Sequence, residues 1–371
     1  MARLATYIKF TSISLLVSVT CLSLMNYNQH FVIIASKHRS RNLRWFFGTD
    51  EDDTHRHHHL NLRPVKTKTQ YIISVSAPYI INNPNVCRKF EKVSSLIMVH
   101  TAPDHILRRE KMRRTWLNRT HYSPENVLVI FLLGTVKNQT LQQALVNESK
   151  KHGDIIQGDF IDSYRNLTNK GVMGYRWITE NCRNAEIVIK IDDDAFINMF
   201  KFFEDYSYLK EREKFIYCNK INKNSMPILR DHKSKWYVNE YEYKDIKVFP
   251  HPYCSGFVVF LSIDLVPPLY HAAIGTPFFW VDDFFLFGLL PSRVKNVQYE
   301  KYNGTLTFSH PEGLKCYKEK GRNCQYLIVP ARENEIDVLW KTVIKDRTQS
   351  IYGNYYMHLK KDTRYVKSPY T

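Results

Sequence analysis

The chain has 371 residues, 44% of them hydrophobic and 14% aromatic, with a formal net charge of +17. That is enough for one large core or two modest ones. The basic excess does not indicate nucleic-acid binding. Residues 1–90 hold 12 Lys/Arg against 4 Asp/Glu, no nucleic-acid motif is present, and no aromatic residues interleave a basic stripe, so the excess reads as a solvated or membrane-proximal segment.

In chain order, Phe10–Met25 (FTSISLLVSVTCLSLM) carries no charge, and FVIIA follows after a short polar patch. A spanning helix wants about 20 apolar residues, so this is borderline between an anchor and a cleaved signal peptide. No small-x-small cleavage site follows, which favours the anchor. Lys37, Arg39, Arg41 and Arg44 come after it, so charge alone leaves orientation open. Residues 36–90 read as a stem, with an acidic run at Asp50–Asp53, a cluster of four histidines between His55 and His59, and no sustained periodicity. Apart from Cys21, six cysteines remain, without CxxC spacing. That even set suits disulfides in an oxidising compartment. Only Cys316 and Cys324 are close enough to suggest a local loop, and Cys182 and Cys254 could equally be buried thiols. N-x-S/T acceptors stand at Asn118, Asn138, Asn147, Asn166 and Asn303.

From about residue 93 the texture changes. SSLIMVH (94–100), NVLVIFLLG (126–134), DIIQGDF (154–160) and EIVIKIDDD (186–194) read as buried strands. Helical stretches alternate with them: LRREKMRRTW, TLQQALVNESKKHG and Asn166–Cys182. Continuous Val/Ile/Leu strands alternating with helices imply an α/β domain with a parallel sheet covered on both faces. Ligands in such sheets sit beyond the carboxyl ends of the strands. After residue 210, KFIYCNK and YCSGFVVFLS read as strands, and VDDFFLFGLL as the start of a helix.

Three groups of residues carry chemistry. Asp192, Asp193 and Asp194 end a buried strand, where adjacent carboxylates repel and resist desolvation unless something positive joins them. Hard oxygen ligands there suit Mg²⁺ or Mn²⁺, the alternative being a helix cap near Ala195. Arg108, Arg109 and Arg113 follow the first strand at the ligand edge; guanidinium forks match phosphate oxygens, although such a helix face is often merely solvated. Asp282 and Asp283 lie in an intensely aromatic run, where burial raises a carboxylate and makes it a candidate general base. The alternative is a helix N-cap.

Together KIDDDAFIN, RREKMRRTW, GDFIDSYRNLTNK, SKWYVNEYEY, YCSGFVVFLS and VDDFFLFG resemble, in order and spacing, the β1,3-glycosyltransferase family of β1,3-galactosyl- and N-acetylglucosaminyltransferases (glycosyltransferase family 31). The resemblance covers about residues 93–310. It implies a GT-A fold, meaning a Rossmann-like nucleotide-sugar-binding sheet with helices on both faces, preceded by a signal-anchor and stem. It implies an inverting, metal-dependent hexosyltransferase that moves galactose or an N-acetylhexosamine from a UDP-sugar to the 3-hydroxyl of a glycan on glycoprotein or glycolipid. It further implies a single-pass type II Golgi membrane protein, its catalytic body lumenal: a tail over 1–9, anchor over 10–35, stem over 36–90, catalytic domain over 91–345 and C-terminal tail over 346–371. Residue by residue, it implies Asp194 and Asp192 as metal ligands with His310 as the late histidine. Arg109, Arg113, Asp159, Lys170, Asp192, Asp193, Trp236, Ser255 and Gly256 would line the donor site. Asp162 and Tyr164 belong to the block beside the donor. Asp283 is the implied base, with Asp282 its rival, because the following glycine, Gly288, stands five residues after Asp283 where the common form has four. Two other readings are a catalytically inactive lumenal carbohydrate-binding protein on the same scaffold and a metal-dependent phosphohydrolase.

Overall fold

A computed structural model describes residues 77–345. The expected anchor, most of the stem and the C-terminal tail lie outside the described residues. Among the described residues no helix is long and apolar enough to cross a membrane.

The strands are β1 (Tyr79–Ile81), β2 (Ser95–His100), β3 (Val127–Thr135), β4 (Ile155–Ile161), β5 (Ile187–Asp192), β6 (Ala195–Ile197), β7 (Phe215–Ile221), β8 (Tyr253–Ser262), β9 (Gln298–Lys301) and β10 (Ile328–Pro330). The helices are α1 (Ile106–Arg114), α2 (Gln139–His152), α3 (Leu167–Asn181), α4 (Met199–Asp205), α5 (Val266–Ile274), α6 (Asp282–Phe284, continued by a π turn over Phe285–Leu289) and α7 (His310–Lys320), followed by α8 over residues 333–345. Eight strands form one sheet in the order β1-β4-β3-β2-β5-β8-β7-β9, and β6 pairs with β10 apart from it.

The expected parallel arrangement holds across β4-β3-β2-β5, whose connections are the helices read from the sequence. Beyond β5 the sheet is mixed. β8 runs antiparallel to both β5 and β7, and β1 is antiparallel to β4. Alternate residues of each central strand feed different cores: Leu96 and Met98 pack with α3, while Ile97 and Val99 pack with Met112 and Trp116. Side chains on a strand alternate between faces, so a strand buried on both faces is apolar at successive positions, as β2 is from Leu96 to Val99.

The folded body begins before residue 91. β1 extends the sheet edge, Tyr79 donates its hydroxyl hydrogen to Glu180 at 2.8 Å, and Cys87 is bonded to Cys182. A three-residue strand is too short to leave a periodic signal. Cys218–Cys254 and Cys316–Cys324 complete three disulfides, so the reading of Cys182 and Cys254 as free thiols does not hold.

Candidate active site

The three adjacent carboxylates meet three different surroundings at the carboxyl edge of β5. Asp192 accepts a hydrogen bond from Lys190 Nζ at 2.6 Å. Burial pushes its carboxyl up to about 6, and repulsion from Asp194 and Asp283 adds to this against the opposing pull of Lys190. Asp193 turns inward and is claimed by Thr101 Oγ1 at 2.6 Å, His105 Nδ1 at 2.7 Å and Arg108 Nη1 at 3.1 Å. Burial alone would raise it, but those hydrogen bonds and charges hold it below the usual carboxylate range. Asp194 is exposed and makes no ion pair among the described residues, while its backbone carbonyl accepts from Ala331 N at 2.7 Å. The residues that follow enter β6, so the triplet does not cap a helix; Asn198 is the cap of α4.

Opposite Asp192, α6 brings up the second acidic pair. Its N-cap is Val281 and it has no side-chain capping bond, which removes the capping role considered for Asp282 and Asp283. Asp283 lies directly against Gly256 of β8. A Cβ built on Gly256 would stand 2.0 Å from Asp283 Oδ1 and 3.3 Å from Lys190 Nζ. Only a residue with no side chain permits that approach. The Gly256 N–H donates to the Asp283 carboxylate; burial raises Asp283, and Lys190 and this hydrogen bond oppose the rise. Asp282 is raised as well, by burial and then by the charge of Asp283. A π turn over Phe285–Leu289 follows Asp283 and holds Gly288. Such turns insert a residue without ending the helix. Gly288 still packs closely, a Cβ there falling 2.7 Å from Tyr253 Cβ.

Lys190 is the residue that sequence reasoning missed. It is 1% exposed, on a strand that is otherwise Ile and Val up to its terminal Asp192, and its ammonium donates to Asp192 and to the Gly256 carbonyl. Burial would lower it, yet Asp192, Asp282 and Asp283 hold it above the usual lysine value. The available signal was a charged residue inside IVIKID, two positions before an aspartate and on the same strand face.

The expected donor contacts divide sharply. Arg109 is fully buried, bidentate to Glu148 at 2.7 and 2.8 Å, and donates to the carbonyls of Ala102 and Pro103. Arg113 binds Asp154 at 2.8 and 2.9 Å and stacks over Phe131. Neither guanidinium is turned toward a donor, because buried carboxylates already engage both. They fix the loop after β2 to α2 and β4, and Glu148 and Asp154 were not singled out in the sequence. Lys170 is likewise buried and spans Thr101 O at 2.6 Å and Asp162 Oδ1 at 3.1 Å. Asp162 in turn accepts from Gly134 N at 2.6 Å. Asp159 is exposed on β4, apart from these contacts, and Ser255 is half-buried beside Gly256.

An aromatic wall flanks the acidic centre. Tyr164 and Trp236 are each nearly half exposed, and Tyr164 feels the charges of Asp282, Asp283 and Asp192 and accepts a hydrogen bond from Trp236. Trp280 stacks under the Arg165 guanidinium at 3.6 Å and lies near Tyr164. Exposed aromatic faces beside buried carboxylates suit a sugar, whose apolar face stacks while its hydroxyls seek polar groups.

Among the described residues, no three His, Cys, Asp or Glu side chains form a group able to hold a metal ion by themselves. Asp192 and Asp194 nevertheless fit one. Asp194 is exposed, its carboxylate makes no ion pair among the described residues, and its charge raises Asp192. Mg²⁺-type ions are commonly held by one or two carboxylates together with substrate phosphates, not by an all-protein cage. His310 opens α7 and meets Glu335 Oε2 through Nδ1 at 2.9 Å. That contact orients the ring and leaves Nε2 as the other nitrogen.

With this geometry in view, residues 107–302 match the galactosyltransferase family model. The chain belongs to that family. It is 30% identical over 297 residues to lactosylceramide 1,3-N-acetyl-β-D-glucosaminyltransferase A of Xenopus laevis, covering 77% of this chain and 75% of the relative. It is 34% identical over 221 residues to human β-1,3-galactosyltransferase 1, covering 59% and 66%. β-1,3-galactosyltransferase 5 of Pan paniscus is 32% identical over 220 residues, covering 59% and 71%. The family's members are hexosyltransferases, and the homology supports a β-1,3-glycosyltransferase; it does not support an inactive scaffold.

Proposed function

We propose that the protein transfers galactose or an N-acetylhexosamine from a UDP-sugar to the 3-hydroxyl of an acceptor glycan on glycoprotein or glycolipid, with inversion at the anomeric carbon. The observation that carries this reading is the placement of Asp283 against Gly256, within the field of Lys190 and across from Asp192. It sets a carboxylate with a raised proton affinity next to the carboxylates that would receive the donor, as a general base requires.

In the proposed reaction the acceptor oxygen attacks the anomeric carbon as the bond to the diphosphate breaks. The acceptor proton passes to the Asp283 carboxylate, and UDP leaves with the bonding pair. Asp282 is the neighbouring carboxylate, itself raised by burial and then by the charge of Asp283. Trp236 and Tyr164 would stack on a sugar, and Ser255 and Gly256 would line the sugar pocket through backbone and small side chains. Arg109, Arg113 and Lys170 act at one remove, by fixing the loops that face the donor. Asp194 and Asp192, with His310 as an outer partner, would hold a divalent cation, Mn²⁺ or Mg²⁺. Such an ion offsets diphosphate charge.

Three disulfides and five N-x-S/T acceptors favour an oxidising lumen. We therefore read the body as a GT-A domain held in the Golgi by an N-terminal anchor. The test is a transfer screen of UDP-sugars against glycan acceptors, with and without Mn²⁺, reading the linkage of the product. A β1,3-linked hexose supports the reading, whereas phosphate release without any acceptor would favour a phosphohydrolase and sink it.

A further inference from the structure

A lysine in the middle of a buried strand demands a reason. Taking an ammonium out of water is costly, even after relaxation, unless charge and hydrogen bonds offset it. The neighbours of Lys190 in β5 are Ile189 and Ile191, and its partner across the ladder in β8 is Val259. Nothing in that packing calls for a charge. The offset comes from the tip of the side chain. Nζ donates to Asp192 Oδ1 and to the Gly256 carbonyl, and stands where a Cβ on Gly256 would lie 3.3 Å away. That same Cβ would overlap Asp283 Oδ1. The missing side chain of Gly256 is therefore the space through which the ammonium faces the proposed base.

From this arrangement we infer that Lys190 is a positioning residue for transfer: a fixed internal cation that ties the donor-side carboxylate Asp192, the β8 backbone at Gly256 and the base Asp283 into one unit. The inference rests on Asp283 being the base. Asp192, Asp282 and Asp283 crowd one small volume, and like charges there drive one another apart. One ammonium, held by two hydrogen bonds to groups that do not react, keeps the three carboxylates together. The other buried cation nearby, Lys170, is engaged by Asp162 and the Thr101 carbonyl and does not supply that charge at Gly256. His100, which pairs with Asp192 across the β2–β5 ladder, is kept neutral by burial and by the charges of both lysines.

The test uses Lys190→Gln, which keeps hydrogen-bond donors but no charge, and Lys190→Met, which keeps neither. Melting curves check whether each folds. Both should lose turnover on the order of a hundredfold, the lower end of what acid–base assistance contributes. The decisive readout is coupling. Asp283→Asn added to Lys190→Gln should cost far less than Asp283→Asn alone, since residues acting as a unit are not additive. Lys190→Ala should regain part of its turnover with added methylamine, which a residue that merely fills space would not show. Near-normal turnover in Lys190→Gln, or strictly additive losses without amine rescue, would overturn the inference. Should Lys190→Met not fold, Lys190→Gln and the amine titration decide it alone. If Asp283→Asn itself retains turnover, the base assignment fails, and it fails independently of Lys190.

Discussion

Replacing Gly256 with alanine is the smallest change that strikes the centre of this account. The new Cβ would sit 2.0 Å from Asp283 Oδ1 and 3.1 Å from its carboxyl carbon. Real Cβ contacts essentially never fall under 3.0 Å, so Asp283, α6 or β8 must shift by about 1 Å. The carboxylate cannot swing freely, because the Gly256 N–H holds it on one side and the buried helix that carries it is packed through Phe284, Phe285 and Leu286. Overpacking of this kind typically costs about 1–3 kcal/mol of stability, and a 1 Å misplacement of a reacting group costs on the order of a hundredfold in rate. Gly256→Ala should therefore melt only modestly lower yet transfer sugar roughly a hundred times more slowly. The assay is single-turnover transfer with saturating donor and acceptor, alongside a thermal melt. Wild-type turnover in a folded Gly256→Ala protein would refute the claim that Asp283 works from this position.

Two further outcomes follow from the same geometry. Arg109→Ala strips Glu148 of its bidentate partner but leaves it Arg113 Nη1 at 2.7 Å, so the loss should lie toward the lower end of the about 3–5 kcal/mol for breaking a buried pair from one side; urea unfolding should show it, and a change under about 1 kcal/mol would contradict the scaffold role assigned to Arg109. The His105–Asp193 contact makes stability depend on pH. The hydrogen bond to Asp193 raises His105 above its ordinary 6.5, so its contribution is full below that pH and fades as pH rises through the folded value. Asp193 is held below 3.8, so its contribution is full above that pH and fades as pH falls through its folded value. His105→Gln should remove the alkaline fade seen in urea unfolding from pH 6 to 9 while leaving the acid side largely in place. Identical pH profiles for the two proteins would show that the contact carries no such linkage.

Much of the fold was legible because its central strands announce themselves. A sheet covered on both faces requires apolar residues at successive positions, and β2, β3 and β5 supply them. The antiparallel half was less legible. β7 and β8 could be seen as strands, but direction depends on how the long segment between Ile221 and Tyr253 returns, and no local pattern encodes that. Within the site, chemistry was easier to read than position. Asp192–Asp194 and Asp282–Asp283 stood out by charge in apolar surroundings, and both lie at the carboxyl edge of the sheet. Their individual surroundings depend on distant partners: His105, Arg108 and Thr101 claim Asp193, whereas Asp194 stays exposed. Arg109 and Arg113 were read as phosphate ligands because a guanidinium looks the same in sequence whatever it meets. Glu148 and Asp154, about 40 residues on, meet them first. Lys190 was overlooked beside the aspartates it serves, although a lone cation in IVIKID is as anomalous as three carboxylates.

The central claim is that Asp283 takes the acceptor's proton while Asp192 and Asp194 serve the donor. Its most direct test is Asp283→Asn, measured in parallel for sugar transfer and for UDP binding in the presence of Mn²⁺. The account predicts transfer reduced by about 10²–10⁴-fold, the range for loss of a general base, with UDP binding close to that of the unaltered protein. Near-normal transfer by Asp283→Asn would contradict it and return the base to Asp282 or to another group.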